Sequence, residues 1–258
     1  MSAGAYDYGR HGLIGIGTPQ ANPTVEAEMA ILLPAGVAMA VTRLTSAAPV
    51  PADRLREYLL RLADYLEAFD TLRPAAFGFA CTASSYLVDA SDAQRVLAAC
   101  EDRFGYPIVT AADAIAGALD RLGARRIALI SPYPEGLRAA SERYWSARGY
   151  EVGPVIGAGE LAPDADTRGI YALGSADAAA ALARADLSGV DAVLLSGTGM
   201  PSLPLIASGS DAVPVLSSNL CLAAALSERL GQGDLLDPQS TASHEWRARC
   251  RAATLQGT

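Results

Sequence analysis

The cysteine in Phe79-Ala80-Cys81-Thr82-Ala83-Ser84-Ser85-Tyr86 is the residue of this sequence best placed to do chemistry. It follows the apolar stretch 75–79, which reads as a buried strand, and a helical pattern begins at 89. The carboxyl end of a parallel strand, facing the first turn of a helix, is where α/β proteins bind ligands. Backbone N–H groups there lower a thiol's pKa, so Cys81 is expected to act as a thiolate. The bland alternative is a buried core cysteine, a common fate for this residue. The polar run Thr82-Ala83-Ser84-Ser85 argues for the reactive reading.

Other chemistries are poorly provided for. All 20 basic residues are arginine, which removes a lysine Schiff base and with it pyridoxal phosphate chemistry. The usual phosphate-loop lysine is missing too. The two histidines, His11 and His244, lie before the first strand and in the tail, so a histidine triad or a metal site is not expected. Of the other cysteines, Cys100 and Cys221 sit in apolar helical patterns and read as core. Cys250 lies in an arginine-flanked tail and reads as idle. The four cysteines fit no zinc spacing. Without a leading signal sequence, they point to free thiols in a reducing cytoplasm.

The 258 residues suffice for one large domain or two small ones, and 51% hydrophobic with 19% charged residues marks a globular chain. A net charge of −8 argues against nucleic acid or an anionic membrane as partner. No apolar run reaches the length of a membrane span.

These elements must position the sulfur. Hydrophobic runs predict strands over 13–17, 38–43, 75–80, 108–110, 126–131, 151–156, 191–196 and 213–217. Helical periodicity covers 23–32, 52–72, 90–104, 111–122, 137–148, 175–185, 203–207 and 220–230. Three segments recur in the same order about 110 residues apart. The segment 12–19 resembles 126–132, 75–86 resembles 191–202, and 107–119 resembles 214–226. Such a repeat fixes an architecture. It predicts an α/β protein of two similar Rossmann-like lobes with parallel sheets, related by a pseudo-two-fold, with the active site in the cleft between them. One lobe spans 1–110, completed by about 214–258, and the other 111–213. In the repeat, Gly197 is the counterpart of Cys81.

Four segments carry a resemblance to the aspartate/glutamate racemase superfamily, in its maleate isomerase and arylmalonate decarboxylase branch. Gly17-Thr18-Pro19-Gln20-Ala21-Asn22 with Thr24-Val25-Glu26 resembles the family's first strand-to-helix loop, whose asparagine binds substrate. Ala80-Cys81-Thr82 with Ser84-Ser85 resembles the first cysteine loop. Ser131-Pro132-Tyr133 resembles the loop that donates a tyrosine hydroxyl. Ser196-Gly197-Thr198-Gly199-Met200-Pro201-Ser202 resembles the second cysteine loop, and Val215-Leu216-Ser217-Ser218-Asn219 is common to both sides of the branch. The family's racemases use one cysteine on each face of the substrate. Gly197 stands at the second position, which puts two-base racemisation in doubt. Arylmalonate decarboxylases keep only the second cysteine, so this chain is their mirror image. The stretch 166–174 lacks the asparagine of maleate isomerases, so the substrate need not be maleate itself.

The resemblance implies a cofactor-independent isomerase acting on a small unsaturated dicarboxylate. Cys81 would add to the double bond and form an enediolate. Thr82, Ser84, Ser85, the Tyr133 hydroxyl and N–H groups around Gly197, Thr198 and Gly199 are the donors available to that anion. Asn22 and Asn219 would orient the carboxylates, although each equally suits a helix cap, and Tyr133 equally suits a surface turn. A malonate decarboxylase with Cys81 as proton donor is the runner-up. A one-cysteine racemase or epimerase follows, then a periplasmic-type binding protein. An exposed helical face would suit a homodimer.

Overall fold

The computed structural model describes residues 7–159, 166–209 and 212–255. Strands β1 (Gly12–Pro19), β2 (Val37–Leu44), β3 (Ala76–Phe79) and β4 (Ile108–Thr110) form a parallel sheet in the order β2-β1-β3-β4. Strands β5 (Arg126–Ser131), β6 (Glu151–Gly157), β7 (Ala192–Leu195) and β8 (Val215–Ser217) form a second in the order β6-β5-β7-β8. The two orders are the same order written twice, as the repeat requires. The central strands β3 and β7 are buried at every residue. Their uninterrupted apolar runs follow from helices covering both faces of a parallel sheet.

Those helices are α1 (Thr24–Leu32), α2 (Pro51–Leu60), α3 (Leu62–Leu66), α4 (Thr82–Leu87), α5 (Ala90–Phe104), α6 (Ala111–Arg121), α7 (Glu135–Ala147), α8 (Ser175–Ala183), α9 (Leu203–Ser208), α10 (Ser218–Arg229) and α11 (Thr241–Leu255). Helices α6 and α10 follow the equivalent strands β4 and β8 and pack on each other. Each starts on a hydroxyl cap. Thr110 Oγ1 accepts the Asp113 N–H at 3.0 Å, and Ser217 Oγ accepts the Leu220 N–H at 3.3 Å. Helix α10 also lies on β3 and β4 of the first sheet, and so ties the halves together. Trp145, Trp246, Phe77 and Phe79 are among the largest fully buried side chains, each worth about 1.5–3 kcal/mol of burial or more.

All eight expected strands are present. The helices need three corrections. The periodicity over 52–72 breaks at Arg61, whose φ of −104° and ψ of 23° leave the helical region, and the chain ends in a 3₁₀ turn at Glu67–Phe69. The polar run after Cys81 is itself helix α4, so the helix that Cys81 faces begins at Thr82 and not at 89. Five of its six residues are buried, hydroxyls included, and it therefore shows no apolar stripe. The segment holding His244 and Cys250 is helix α11 and no loose tail. It packs on α1 and α9 with Trp246 fully buried and Cys250 buried. Arg249 of α11 donates to the Ile31 carbonyl at 2.7 Å and to those of Leu32 and Leu33, which caps the end of α1. Among the described residues no helix is long and apolar enough to cross a membrane.

Candidate active site

Strand β3 delivers Cys81 to the N-cap of α4 in extended backbone, φ −146° and ψ 94°. The residue keeps 3% of its surface. It is not sealed in hydrocarbon. The Ser84 hydroxyl donates to Cys81 Sγ at 3.2 Å, and the Ala83 and Ser84 N–H groups lean toward the sulfur without closing a cap bond. Burial nevertheless pushes the thiol pKa up, and these donors offset it only in part. Against the expectation that the helix N-terminus lowers it, burial outweighs these three donors and the thiol pKa is raised.

The loops after β5 and β7 approach from the other lobe. Tyr133 is buried, which excludes the surface-turn reading, and its hydroxyl lies 3.0 Å from Thr82 Oγ1. Burial holds its phenol well above the usual range, so it stays neutral and able to donate. Tyr86 of α4 reaches Ser196 Oγ at 3.1 Å and meets the Tyr133 ring edge-on. Thr198 Oγ1 donates to the Ala80 carbonyl at 2.9 Å, immediately before the cysteine. Gly197 adopts φ +90°, which favours glycine, and its N–H donates to Ser218 Oγ at 3.1 Å. A side chain there would run into Pro132 and Tyr133. A second cysteine would fit there only if the tyrosine loop gave way by a few tenths of an ångström. At Gly199 a Cβ would lie 2.5 Å from Tyr171 Cε1, so Tyr171, in the stretch without the expected asparagine, packs directly on the second loop.

Asn22 and Asn219 are drawn into the framework. Asn22 Oδ1 accepts the N–H groups of Thr24 at 2.9 Å and Val25 at 3.3 Å, and its Nδ2 donates to Thr198 Oγ1 at 3.2 Å. Asn219 Nδ2 donates to Glu28 Oε2 at 2.8 Å and to the Thr198 carbonyl at 3.0 Å, while its buried Oδ1 has no protein partner among the described residues. Ser217, not Asn219, caps α10. Ser85 is buried on α4 and makes no side-chain hydrogen bond among the described residues.

Glu28, Tyr86, Tyr58, Tyr171 and Arg54 escaped the sequence reading. Glu28 is buried and accepts from the Ser202 N–H at 2.6 Å and the Leu203 N–H at 3.1 Å, which pins the second loop to α1. Burial raises its pKa against those donors. The available signal was an ionisable residue on an apolar helix face. Thr24, Val25, Glu28, Met29 and Leu32 form that face on α1, and Arg54, Leu55, Tyr58 and Leu59 form it on α2. A surface cavity of about 600 Å³ beside Arg121, Leu220 and Arg247 shares no residue with the Cys81 cluster. Cys81, Thr82, Ser84, Tyr133 and Thr198 are each buried.

Twin parallel-sheet lobes meeting over one buried thiol define a class, that of the aspartate/glutamate racemase-like α/β proteins. Within it the arylmalonate decarboxylase family model matches residues 18–240, and the chain belongs to that family. Among solved structures it is similar to a Nocardia farcinica maleate cis-trans isomerase bound to TRIS, at 24% identity over 93% of this chain and 99% of that one, with a TM-score of 0.77. The maleate isomerase of Pseudomonas putida S16 gives 24% identity over 89% and 98% of the two chains, with a TM-score of 0.69. An arylmalonate decarboxylase gives 21% over 86% and 93%, with a TM-score of 0.69. These likenesses establish the shared fold. No curated protein matches the sequence significantly.

Proposed function

We propose that the protein is a cis–trans isomerase of a small unsaturated dicarboxylate of the maleate type, working through a covalent Cys81 adduct. One observation carries this reading. The polar groups aimed at the Cys81 sulfur, the Ser84 hydroxyl and the Ala83 and Ser84 N–H groups, are all donors that favour the anion. The Cys81 thiol first gives up its proton to solvent; the thiolate so formed adds to one alkene carbon, and the displaced electron pair moves into the carboxylate on the other carbon as an enediolate. The former double bond is then single and turns. When the pair returns, the C–S bond breaks, and the trans acid leaves with the thiolate restored. The neutral Tyr133 and Thr82 hydroxyls stabilise the enediolate, and addition followed by elimination needs no cofactor. A mutant of the Nocardia farcinica enzyme holds a covalently bound succinylcysteine intermediate, which is what protonating such an adduct yields. The test is intact-protein mass spectrometry after incubation with maleate, with fumarate followed by proton NMR. A gain of one maleate on Cys81, lost in Cys81→Ser together with turnover, is expected. Full activity in Cys81→Ser overturns the proposal.

Burial of the thiol favours a second reading, decarboxylation of a disubstituted malonate. There one carboxylate leaves as carbon dioxide, its bonding pair forms the same enediolate, and the Cys81 S–H delivers the proton to carbon. Carbon dioxide release from an arylmalonate, without a Cys81 adduct from maleate, would select it.

A further inference from the structure

Arg54 is the one buried cation among the described residues. Its side chain keeps 5% of its surface, and among the described residues the guanidinium makes one hydrogen bond, from Nη2 to Asp166 Oδ1 at 2.7 Å. Nε and Nη1 have no protein acceptor there. Arginine presents its donors as a fork suited to a whole carboxylate, so this fork is partly used. Asp166 does not depend on the contact. Its Oδ1 also accepts the Arg168 N–H at 2.9 Å, and its Oδ2 accepts Arg168 Nη2 at 2.6 Å. Two of its three bonds survive if Arg54 lets go.

The position matters as much as the bonding. Arg54 and Tyr58 lie one turn apart on the buried face of α2, and α2 packs on α4, the helix that starts at Cys81. The phenols of Tyr58 and Tyr171 each feel both the Cys81 thiol and the Arg54 charge. Beside Arg54 the cluster offers a thiol, phenols, hydroxyls, amides and the buried Glu28 carboxyl, and no second buried cation among the described residues. A dianion brought into such a chamber needs a buried positive partner.

We infer that Arg54 receives the second carboxylate of the substrate, and that Asp166 is the internal carboxylate that fills the fork while the site is empty. This rests on the reading of the Cys81 chamber as a dicarboxylate site, and it narrows the substrate to a dianion spanning from the sulfur to α2. The probes are succinate, a saturated dicarboxylate that cannot accept the thiolate, and butyrate, its one-carboxylate counterpart, each titrated calorimetrically.

Wild type is expected to bind succinate more tightly than butyrate. Arg54→Met should weaken succinate by about 10- to 100-fold, the span of a charge-assisted hydrogen bond, and leave butyrate unchanged. Asp166→Asn should tighten succinate, and that gain should vanish in the Arg54→Met/Asp166→Asn double variant. Should Arg54→Met not fold, Arg54→Lys replaces it, since it keeps the charge and loses the fork; weaker succinate with unchanged butyrate is again expected. Equal affinity of wild type for both acids, equal weakening of both by either Arg54 variant, or weaker succinate binding by Asp166→Asn overturns the inference. The last result would make the pair a clamp between lobes. Neither probe forms an adduct, so discrimination without a maleate adduct would sink the isomerase and keep Arg54, and an adduct without discrimination would do the reverse.

Discussion

Gly197→Ala adds a single methyl group at the point where the tyrosine loop meets the second lobe loop. Gly197 sits at φ +90°, and a residue with a Cβ pays about 1–2 kcal/mol to hold the left-handed region. The new atom would lie 3.0 Å from Pro132 Cγ, 3.1 Å from Tyr133 Oη and 3.2 Å from Tyr133 Cζ, overpacking that costs about 1–3 kcal/mol more. The sum is about 2–5 kcal/mol, which for a chain of this size lowers Tm by roughly 5–15 °C. Relief comes from moving the Pro132–Tyr133 loop as a whole, because Gly197 is held by Ser218. The hydroxyl then leaves its 3.0 Å contact with Thr82, and one enediolate donor is misplaced, a loss of about 10²–10³ in kcat. Scanning calorimetry and NMR-followed turnover read the two effects separately. An alanine variant with wild-type Tm and full activity would refute the reasoning. The same backbone and packing hold for Gly197→Cys, so installing a second thiol should lower activity and create no racemase.

Three further outcomes are expected. Tyr133→Phe should lose about 10²–10³ in kcat with little change in KM, measured by steady-state kinetics; an unchanged kcat would remove Tyr133 from the reaction. Because burial raises the Cys81 pKa, a nucleophilic thiolate makes kcat/KM climb with pH into and past the ordinary thiol range near ~8.5, whereas a proton-donating thiol keeps it flat and then lets it fall as the proton is lost. The slope of the pH profile therefore separates the two reactions. Glu28→Ala should cost at least about 3 kcal/mol in denaturant unfolding, since it leaves two buried backbone N–H groups without an acceptor and removes one of the two acceptors of the Asn219 amide. Burial raises the Glu28 carboxyl above the usual carboxylate range, so the folded state binds the extra proton, and stability should fall as pH rises through the raised pKa. Glu28→Gln should abolish that slope.

The two-lobed sheet arrangement could be read from the chain because each strand is an apolar run bounded by turns, and because 75–86 and 191–202 repeat with a fixed offset. The cysteine loop was legible for the same reason: a reactive residue type followed an unambiguous strand. What stayed hidden depends on distance in sequence. Tyr86 meets Ser196 and Thr198 meets Ala80 across more than a hundred positions, and no local pattern encodes those pairs. Helix α4 carries no stripe to read because a six-residue, hydroxyl-rich helix is buried on nearly every side. The sign of the thiol shift was missed because sequence displays the nearby N–H donors and not the depth of burial. Glu28 and Arg54 were visible as charges on apolar helix faces, and only the partner lobe gives each a purpose.

The concealment of Cys81 has a kinetic meaning. A sulfur with 3% of its surface showing and a pKa raised by burial is a poor target for peroxide or alkylating reagents, which attack exposed thiolates. Such a reagent reacts only with those molecules that stand open at a given moment. Its rate of labelling at Cys81 therefore reports how often the sulfur becomes exposed, and a substrate bound against it should slow that clock.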